Sequence, residues 1–392
     1  MRVLLVHPHD VWSPQEPWTI RILQLARCLR RMGHDARVAY FPRTDEPRAQ
    51  PSVWRDVPLI PLDRSAHPWS LIRNTLRLIR LAGSCDVLHL QKAFHWAAVP
   101  TLTAAWIRRK PLHYDWDDWE LEIYRDSANP ASPVILWWLG LLERWLPQLA
   151  QTVSVASERL RQEALAVGVP ADHLWWAPVG ADPEEFHPQC SAVLPRQRWG
   201  LNGATVLYVG QLHGGQYVEL VLKAAALTQQ EIPSVRVLIV GDGYQRRELE
   251  RLAAELKLSC VTFVGAVPRE EVPAYVAAAD VCVAAFEANP VTECKSPLKI
   301  AEYLAAGKPI VASDVGEVSR MIGESGVLVP PGNAEELAAA ILRLLNDPSE
   351  RQRLGCLARA RATTSLNWMH TAQRLTEAYD TALATLDGKH AC

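Results

Sequence analysis

Strand and helix signals alternate along almost the whole chain, and this alternation limits the folds that it can adopt. RVLLVHP has the apolar run of a buried strand, and TIRILQLARCLRRMGH has the spacing of an amphipathic helix. The rhythm continues through DVLHLQ, PLHYDWDD and TVSVAS, and a second series starts at ATVLYVG. Short strands joined by helices of about ten residues form parallel sheets through right-handed crossovers. The sequence therefore predicts an α/β protein with two doubly wound, Rossmann-like parallel sheets.

The length of the chain indicates two domains. With 392 residues, the chain is too long to fold around a single ordinary hydrophobic core. A segment rich in proline and acidic residues, typical of a linker, separates the two series. We assign residues 1–182 to an N-terminal domain, 183–200 to the linker and 201–366 to a C-terminal domain. We expect the helical segment 367–392 to return to the first domain.

Several classes of protein are disfavoured by composition. No apolar run has the length of a membrane-spanning helix, and the N-terminus lacks the cleavage site of a signal peptide. The 8 cysteines lie mostly in apolar contexts without metal-ligand spacing, which is typical of reduced thiols. No GxGxxG follows the first strand of either series, which argues against a NAD-dependent dehydrogenase. We expect a cytoplasmic protein with no nucleic-acid partner.

Basic residues are concentrated near the N-terminus. Residues 1–110 carry 17 Lys and Arg against 8 Asp and Glu, whereas residues 111–188 carry 4 against 13. In WSLIRNTLRLIRLA, Arg73, Arg77 and Arg80 recur at helical spacing between apolar residues. Each basic residue near anionic lipid contributes about 1 kcal/mol, so the pattern predicts peripheral docking on the inner face of a membrane. The alternative is an ordinary amphipathic helix whose arginines are solvated.

The stretch SPLKIAEYLAAGKPIVAS predicts a helix, a stop and a strand. Ser296 is a suitable N-cap, Pro297 suits the first helical position, and Gly307 suits the position after the helix. Lys299 lies in the first turn, and Glu302 follows on the same side near the positive end of the helix dipole. Because a helix start binds anions, the pattern indicates an anion site. The alternative is that both side chains are simply solvated.

The loops at the carboxyl ends of strands are where doubly wound sheets place their sites. QLHGG follows VLYVG, DGYQRREL follows VRVLIVG, and VTFVGAVP ends a third strand. Paired glycines allow backbone N–H groups to approach a phosphate, although an ordinary turn has the same composition.

The second half of the chain resembles the nucleotide-sugar domain of glycosyltransferase family 4. The matching segments, in order, are VLYVGQL, VLIVGDG, VTFVGAVPREEVPAYVAAADVCVAAF, SPLKIAEYLAAGKPIVAS and GVLVPPGN. The first half is similar to the acceptor domain of this family in GHDARVAYFP, CDVLHLQK and PLHYDWDD. The resemblance implies the GT-B fold, in which two Rossmann-like domains face each other across a cleft. It also implies retaining, metal-independent hexosyl transfer from a UDP-sugar or GDP-sugar, without a cofactor.

The resemblance also implies which residues bind the donor, with Glu302 accepting hydrogen bonds from the ribose. Two departures from the family pattern stand out. Glu293 and Glu302 enclose eight residues instead of seven, so that Cys294 has the place of the first family glutamate. Gln211 and Gln216 stand where Arg and Lys commonly bind the diphosphate. The donor set implied is Gly210, Gln211, Gly214, Gly215, Gln216, Gly241, Gly243, Gly265, Val267, Ser296, Pro297, Leu298, Lys299 and Glu302.

The acceptor side departs further from the family pattern. Many relatives have H-x-H after the DV strand, whereas this chain has His89 and Gln91. YDWDDWE resembles the DxD metal motif of the other major glycosyltransferase fold, which lacks a second sheet of this kind. We expect its carboxylates to bind acceptor hydroxyls instead, with one accepting a proton. A core position is the alternative for His89. The acceptor set is His9, Gln91, Asp115, Asp117 and Asp118, and the catalytic set is Lys299, Glu293, Asp117 and His89.

These observations predict a retaining glycosyltransferase that moves a sugar to a glycan, lipid-linked or small-molecule acceptor. Backbone N–H groups of residues 296–299 and the lysine would stabilise the charge on the leaving diphosphate. Two alternatives remain: a nucleotide-sugar epimerase on the same scaffold, and a non-catalytic nucleotide-sugar-binding protein.

Overall fold

The computed structural model describes residues 1–13, 16–43, 51–65, 67–126 and 131–388. The chain divides into two compact units. The first unit is Met1–Pro178 together with the residues from Trp368 onward, and the second is Val179–Asn367. Each unit is built around its own sheet.

The first sheet has almost completely buried central strands. Its strands are β1 (Arg2–His7), β2 (Asp35–Tyr40), β3 (Val53–Trp54), β4 (Val57–Pro61), β5 (Val87–Gln91), β6 (Leu112–Trp116), β7 (Thr152–Val155) and β8 (Leu174–Trp176). Their order is β3-β4-β2-β1-β5-β6-β7-β8. The pairs are parallel except for the antiparallel β3 and β4. The strand order reverses at β1, whose neighbours are β2 and β5.

Helices cover both faces of the first sheet. They are α1 (Ile20–Arg31), α2 (Pro68–Ala82), α3 (His95–Arg108), α4 (Glu120–Arg125), α5 (Pro133–Leu149) and α6 (Glu158–Ala166). The crossovers that contain α2, α3 and α5 run in one direction across the sheet, and α1 joins β1 to β2 in the opposite direction. Because crossovers are right-handed, α2, α3 and α5 form a layer on one face and α1 lies on the other.

The second sheet is entirely parallel. Its strands are β9 (Thr205–Val209), β10 (Arg236–Val240), β11 (Val261–Gly265), β12 (Val281–Ala284), β13 (Ile310–Ser313) and β14 (Gly326–Val329). Their order is β11-β10-β9-β12-β13-β14, so that this sheet reverses at β9. The helices are α7 (Val193–Trp199), α8 (Val218–Glu231), α9 (Arg246–Glu255), α10 (Val272–Ala278), α11 (Pro290–Cys294), α12 (Leu298–Ala305), α13 (Val318–Ile322), α14 (Ala334–Asn346) and α15 (Pro348–Thr364).

The predicted fold class, an α/β protein with two doubly wound parallel sheets, is confirmed. The sequence analysis did not predict the strand β4, because VPLIP is short and its two prolines argue against a central strand. Its place near the edge of the sheet tolerates them. Residues 183–200, interpreted as a linker, lie within the second unit and include α7.

The last helix, α16 (Trp368–Gly388), belongs to the first unit and packs against α1. Its Tyr379 hydroxyl lies 2.8 Å from Nδ1 of His89, and both side chains are completely buried. Burial lowers the pKa of His89 to about 4, so the ring stays neutral at neutral pH. The structure therefore places His89 in the core, in agreement with the alternative interpretation and against a catalytic role.

A buried ion pair joins α1 to the centre of the first sheet. Arg21 donates to both carboxylate oxygens of Asp115 at 2.8 Å, and Ser154 donates to the same carboxylate at 2.6 Å. Burial raises the pKa of Asp115, but the Arg21 charge and hydrogen bonds outweigh it and hold the pKa below its ordinary range. The prediction that Asp115 binds the acceptor is therefore wrong, because its carboxylate is inaccessible and fully engaged.

This pair generates a stability prediction. Arg21→Met should destabilise the first unit by about 3–5 kcal/mol, because it leaves the Asp115 charge buried without a partner. The double variant Arg21→Met, Asp115→Leu should recover most of that loss, since it removes both charges. Urea unfolding of the full chain measures both effects. The control is Arg37→Met, whose ion pair with Asp35 is partly exposed and should contribute less than about 1 kcal/mol. An Arg21→Met variant as stable as this control would contradict the assignment.

Candidate functional site

The candidate donor site lies at the carboxyl end of β9, where the strand order reverses and ligands of doubly wound sheets bind. The loops after β9, β10 and β11 pack tightly there. Gly241 donates to the carbonyl of Gly265 at 2.9 Å, and a Cβ on Gly241 would lie 1.8 Å from the carbonyl oxygen of Gly210. A Cβ on Gly243 would lie 2.2 Å from the carbonyl oxygen of Leu212. These glycines allow three loops to meet closely.

The glycine pair after β9 has its N–H groups engaged by side chains. Gly214 donates to the Tyr244 hydroxyl at 3.0 Å, and Gly215 donates to Nδ1 of His213 at 3.3 Å. The Gln211 carbonyl, in the same loop, accepts from the Tyr208 hydroxyl at 3.2 Å. In this structure the N–H groups of the two glycines are therefore engaged by His213 of the same loop and by Tyr244 of the loop after β10.

Lys299 is buried beside this turn. Its Nζ donates to Oε1 of Gln216 at 3.0 Å and lies 4.0 Å above the ring of Tyr208. A Cβ on Gly210 would lie 2.8 Å from this Nζ, so the glycine makes room for the ammonium group. Burial, together with the charge of Lys295 and against the opposing charge of Glu302, lowers the pKa of Lys299 to about 7.

Lys295 is a second cation at this place, and the sequence analysis missed it. Its Nζ donates to the carbonyl of Gly215 at 2.9 Å. Lys295 thus lies on the same turn that Lys299 approaches through Gln216. The signal in the sequence was the KSPLK spacing, which puts the two lysines on either side of the helix start. Two cations beside one glycine turn favour an anionic ligand.

The start of α12 differs from the prediction by one or two residues. Pro297 has an extended backbone and occupies the N-cap position, so the helix begins at Leu298. Ser296 is not the N-cap: its hydroxyl accepts from the backbone N–H of Val179 at 3.2 Å and donates to Sδ of Met321. The first turn still carries Lys299, and Gly307 ends the helix with a φ of 65°, as predicted.

Glu302 is almost completely buried and forms an ion pair with Arg269. Oε1 of Glu302 lies 2.5 Å from Nη2 of Arg269, whose guanidinium lies over the ring of Phe186. Burial raises the pKa of Glu302, and the Arg269 charge partly offsets that shift. Val267 is half-buried two residues before Arg269, in the loop after β11. A ribose hydroxyl that bound Glu302 would therefore either contact Arg269 or displace it from the carboxylate.

Glu293 and Cys294 form the end of a separate short helix, α11. An Asn289 capping box starts this helix, in which Thr292 returns a hydrogen bond to the backbone. Cys294, at the position of the family's first glutamate, is buried in the core, whereas Glu293 is half-buried. The backbone of Glu293 packs closely against Gly316, where a Cβ would lie 2.5 Å from the Glu293 carbonyl oxygen.

In the first unit, three carboxylates that follow β6 form ion pairs with one buried lysine. Lys92 is 2% exposed and its Nζ lies 3.3 Å from Asp117, 3.0 Å from Asp118 and 2.5 Å from Glu120. Its φ of 66° is in the left-handed region, which turns the chain immediately after β5. Burial raises the pKa of Glu120 to about 7, despite the nearby ammonium. The sequence analysis assigned no role to Lys92.

Asp117 belongs to a chain of hydrogen bonds at the carboxyl ends of β1, β5 and β6. Gln91 donates to Oδ2 of Asp117 at 2.7 Å, and its Oε1 lies 2.8 Å from Nδ1 of His7. Burial raises the pKa of Asp117 to about 6, because the loss of solvent outweighs the attraction of Lys92. The structure thus brings together Gln91, Asp117 and Asp118 of the predicted acceptor set.

His9 lies next to this chain, with its ring 5.4 Å from that of His7. Its Nδ1 lies 3.2 Å from Oε1 of Glu16, which also accepts from Arg64 at 2.8 Å. Burial lowers the pKa of His9 to about 4. Glu16 and Arg64 therefore fix the ring of His9 at the carboxyl end of β1, and neither was identified from the sequence.

Two further features concern metals and membranes. Within the described part of the chain, no group of three or more His, Cys, Asp or Glu side chains is arranged to hold a metal ion. No helix among the described residues is both long and apolar enough to cross a membrane.

Comparison with known proteins gives a family match for each of the two units. Residues 203–347 match the family model described as glycosyl transferases group 1, and residues 19–180 match the glycosyl transferase 4-like domain. The chain is 33% identical over 251 residues to a D-inositol 3-phosphate glycosyltransferase of Nocardia farcinica. That match covers 61% of the chain and 54% of the relative, so the chain spans about half the length of that protein.

Two further likenesses extend over nearly the whole chain. A phosphatidyl-myo-inositol mannosyltransferase of Mycobacterium leprae is 26% identical over 97% of both chains. The crystal structure of Anabaena Alr3699/HepE in complex with UDP-glucose aligns with a TM-score of 0.76. It covers 97% of this chain and 100% of that chain at 21% identity, which indicates the same GT-B fold. With one family model on each unit and this shared fold, the chain belongs to the glycosyltransferases of family 4.

Proposed function

We propose that the chain is a retaining glycosyltransferase that transfers a hexose from a nucleotide-diphosphate sugar to a carbohydrate or lipid-linked acceptor. The observation that carries the proposal is the pair Lys295 and Lys299 beside the glycine turn at the end of β9. Family membership supports transfer chemistry, and the relatives described above are transferases by name. A UDP-sugar or a GDP-sugar is the proposed donor: the HepE structure holds UDP-glucose, and a relative from Mycobacterium tuberculosis is GDP-mannose-dependent by name.

In this proposal the two lysines and the first turn of α12 bind the diphosphate. The first backbone N–H groups of a helix have no partner within the helix and point toward an anion. As the glycosidic bond breaks, negative charge grows on the leaving diphosphate, and these fixed donors stabilise it. One such donor contributes about 3 kcal/mol in other enzymes. Gln211 and Gln216 are uncharged at positions where the family commonly has Arg and Lys. In this proposal Lys295 supplies the second positive charge.

The nucleoside is proposed to bind beside Glu302. The carboxylate accepts hydrogen bonds from ribose hydroxyls, with Arg269 either moving aside or holding it from the opposite direction. Because Glu302 is buried, an ion pair or ribose hydroxyls must compensate the loss of solvent around its charge.

The acceptor is proposed to bind at the carboxyl ends of β5 and β6, near Asp117 and Asp118, whereas Gln91 is completely buried behind Asp117. A carboxylate with a pKa of about 6 is ionised at neutral pH and is a better proton acceptor than an ordinary aspartate. We therefore assign the role of proton acceptor to Asp117. Lys92 and Gln91 hold it in place.

We further propose that α2 docks the first unit reversibly on an anionic membrane surface, as the spacing of its arginines predicts. The buried residues of α2 are Ser70, Asn74, Leu78 and Ala82, whereas the apolar residues Ile72 and Leu76, on either side of Arg73, are exposed. Arg73 is exposed, although it pairs with Asp63 at 2.7 Å. A surface of this kind would suit a lipid-linked acceptor.

Incubation with UDP-sugars and GDP-sugars in EDTA, followed by mass spectrometry, tests the reaction class. We expect a sugar to appear on a polyol or lipid-linked acceptor without added metal, and Asp117→Asn to lower this turnover strongly. Isomerisation of the donor without an acceptor would establish the epimerase alternative. Binding without any turnover would establish a non-catalytic protein. Strict dependence on manganese would contradict the proposed metal independence. It would indicate that Asp117 and Asp118 bind a metal ion.

The pH dependence of UDP binding tests the role of Lys299. Because its pKa is about 7 in the free protein, a growing share of the side chain is neutral above that pH. The affinity for UDP should therefore fall between about pH 7.5 and 9.5, where the phosphate, with its pKa near 6, is already ionised. The decrease should approach tenfold per pH unit until the pKa of the bound state is reached.

Lys299→Met should bind UDP about tenfold to hundredfold more weakly, with a flat pH profile. The matched control is Lys223→Met, an exposed lysine on α8 of the same unit, which should keep the affinity and the slope. Calorimetry at several pH values measures all three proteins. If the UDP affinity of Lys299→Met fell with pH as steeply as that of the unaltered chain, Lys299 would not be the group that binds the phosphate.

A further inference from the structure

Three polar side chains form a buried hydrogen-bonded series across adjacent strands of the first sheet. His7 is the last residue of β1, Gln91 is the last residue of β5, and Asp117 directly follows β6. These strands are parallel neighbours, so their carboxyl ends lie side by side. His7 and Gln91 are completely buried, and Asp117 is 9% exposed. The series therefore extends from the interior at β1 to the carboxylate that we propose as the proton acceptor.

The direction of the hydrogen bonds in this series is set by Asp117. An ionised carboxylate only accepts, so Gln91 turns its amide nitrogen to Asp117, at 2.7 Å from Oδ2. The Gln91 carbonyl oxygen then faces Nδ1 of His7 at 2.8 Å, and because this oxygen also only accepts, Nδ1 must carry the hydrogen. Nε2 of His7 is buried and has no hydrogen-bond partner among the described residues. A hydrogen on Nδ1 thus gains a bond that one on Nε2 would lack.

The ring of His7 is neutral, so it has only one hydrogen to place. Burial lowers the pKa of His7 well below its ordinary value, and His9 and Lys92 lower it further. The hydrogen bond with Gln91 and the charge of Glu16 oppose this shift without reversing it. His7 is therefore a donor to Gln91 that does not itself titrate near neutral pH.

The two oxygens of Asp117 have different surroundings. Oδ2 accepts from Gln91, whereas Oδ1 lies 3.3 Å from Nζ of Lys92. The other charged groups that act on this carboxylate are Arg21, which favours ionisation, and Asp118 and Asp115, which oppose it; Glu120 shares the Lys92 ammonium. Because charges act over several ångströms in many directions, they do not fix the rotation of a carboxylate. The directional bond to Gln91 does.

We propose that His7 is a positioning residue, which acts through Gln91 to hold the Asp117 carboxylate in the orientation of a proton acceptor. This inference rests on the proposed function. In that reaction the proton of the acceptor hydroxyl moves to Asp117, and the hydroxyl oxygen bonds to the anomeric carbon. The bond from that carbon to the diphosphate breaks, and its electron pair leaves with the diphosphate. His7 neither gains nor loses a proton.

The apparent pKa of Asp117 tests the inference without any turnover. The full chain is labelled with carboxyl-¹³C aspartate and titrated by NMR between about pH 4 and 8, and Asp117→Asn identifies the signal. His7→Phe removes the donor to Gln91 and so frees the amide that stabilises the ionised form. We expect the pKa of Asp117 to rise by about one unit, the size expected for one hydrogen bond to a charged group.

Two further variants separate the hydrogen bond from the ring. His7→Asn keeps an N–H donor near the position of Nδ1, because its amide nitrogen is the same number of bonds from the backbone. It should leave the pKa of Asp117 within about 0.3 units of that in the unaltered chain. Gln91→Leu should raise the pKa as much as His7→Phe does, and the double variant should add nothing, since His7 acts through Gln91.

The pH profile of turnover supplies the functional readout. Below the pKa of Asp117 the carboxylate is protonated and cannot accept a proton, so kcat falls on the acid side. His7→Phe should move this acid limb upward by about one pH unit, whereas His7→Asn should leave it in place. If the NMR shift occurs but the unaltered chain transfers no sugar, the positioning of Asp117 stands and the proposed function is contradicted.

The matched control is His113→Phe, which changes an equally buried histidine of β6 that bonds to Thr152 and Ser154 instead. It should leave the pKa of Asp117 and the acid limb unchanged. Circular dichroism melts and UDP binding establish that each variant is folded. An unshifted pKa in both His7→Phe and Gln91→Leu would overturn the inference. Equal shifts in His7→Phe and His7→Asn would also overturn it, because the effect would then belong to the ring and not to its donor.

Discussion

The burial of Lys299 at the switch point of the second sheet is the constraint around which the candidate donor site is built. An ammonium group out of water needs compensation, and here Gln216 and the Tyr208 ring supply only part of it. Gly210 lacks a side chain where the ammonium lies, and Lys295 brings a second positive charge to the same turn. A bound diphosphate would complete this arrangement, because it brings negative charge to both ammonium groups.

In both units the candidate site lies at the carboxyl ends of the parallel strands, but the charged side chains that predominate there have opposite signs. At the carboxyl ends of the second sheet, lysines gather around a glycine turn, whereas at those of the first sheet carboxylates gather around Lys92. Burial shifts the pKa values of Lys299 and Asp117 toward neutrality from opposite sides. In the proposed reaction, Lys299 stabilises the charge of the leaving diphosphate and Asp117 accepts the proton of the acceptor.

The fold could be predicted from the sequence because periodicity encodes buried strands and amphipathic helices directly. The bounds of α12 were predicted to within two residues, since Pro297 and Gly307 are local signals. Long-range partners carry no such signal: the pairing of Asp115 with Arg21 joins residues far apart in the chain, and so does that of His89 with Tyr379. Both residues were therefore assigned to a site from their places at a strand, whereas tertiary contacts bury them in the core.

The central claim is that the diphosphate of the donor binds between Lys295 and Lys299, and a crystal structure of the chain with UDP tests it most directly. We expect the phosphate oxygens within hydrogen-bond distance of both ammonium groups, with Nζ of Lys299 released from Gln216. The ribose should contact Glu302. Phosphates bound elsewhere in the second unit, or a nucleotide bound only to the first unit, would contradict the account.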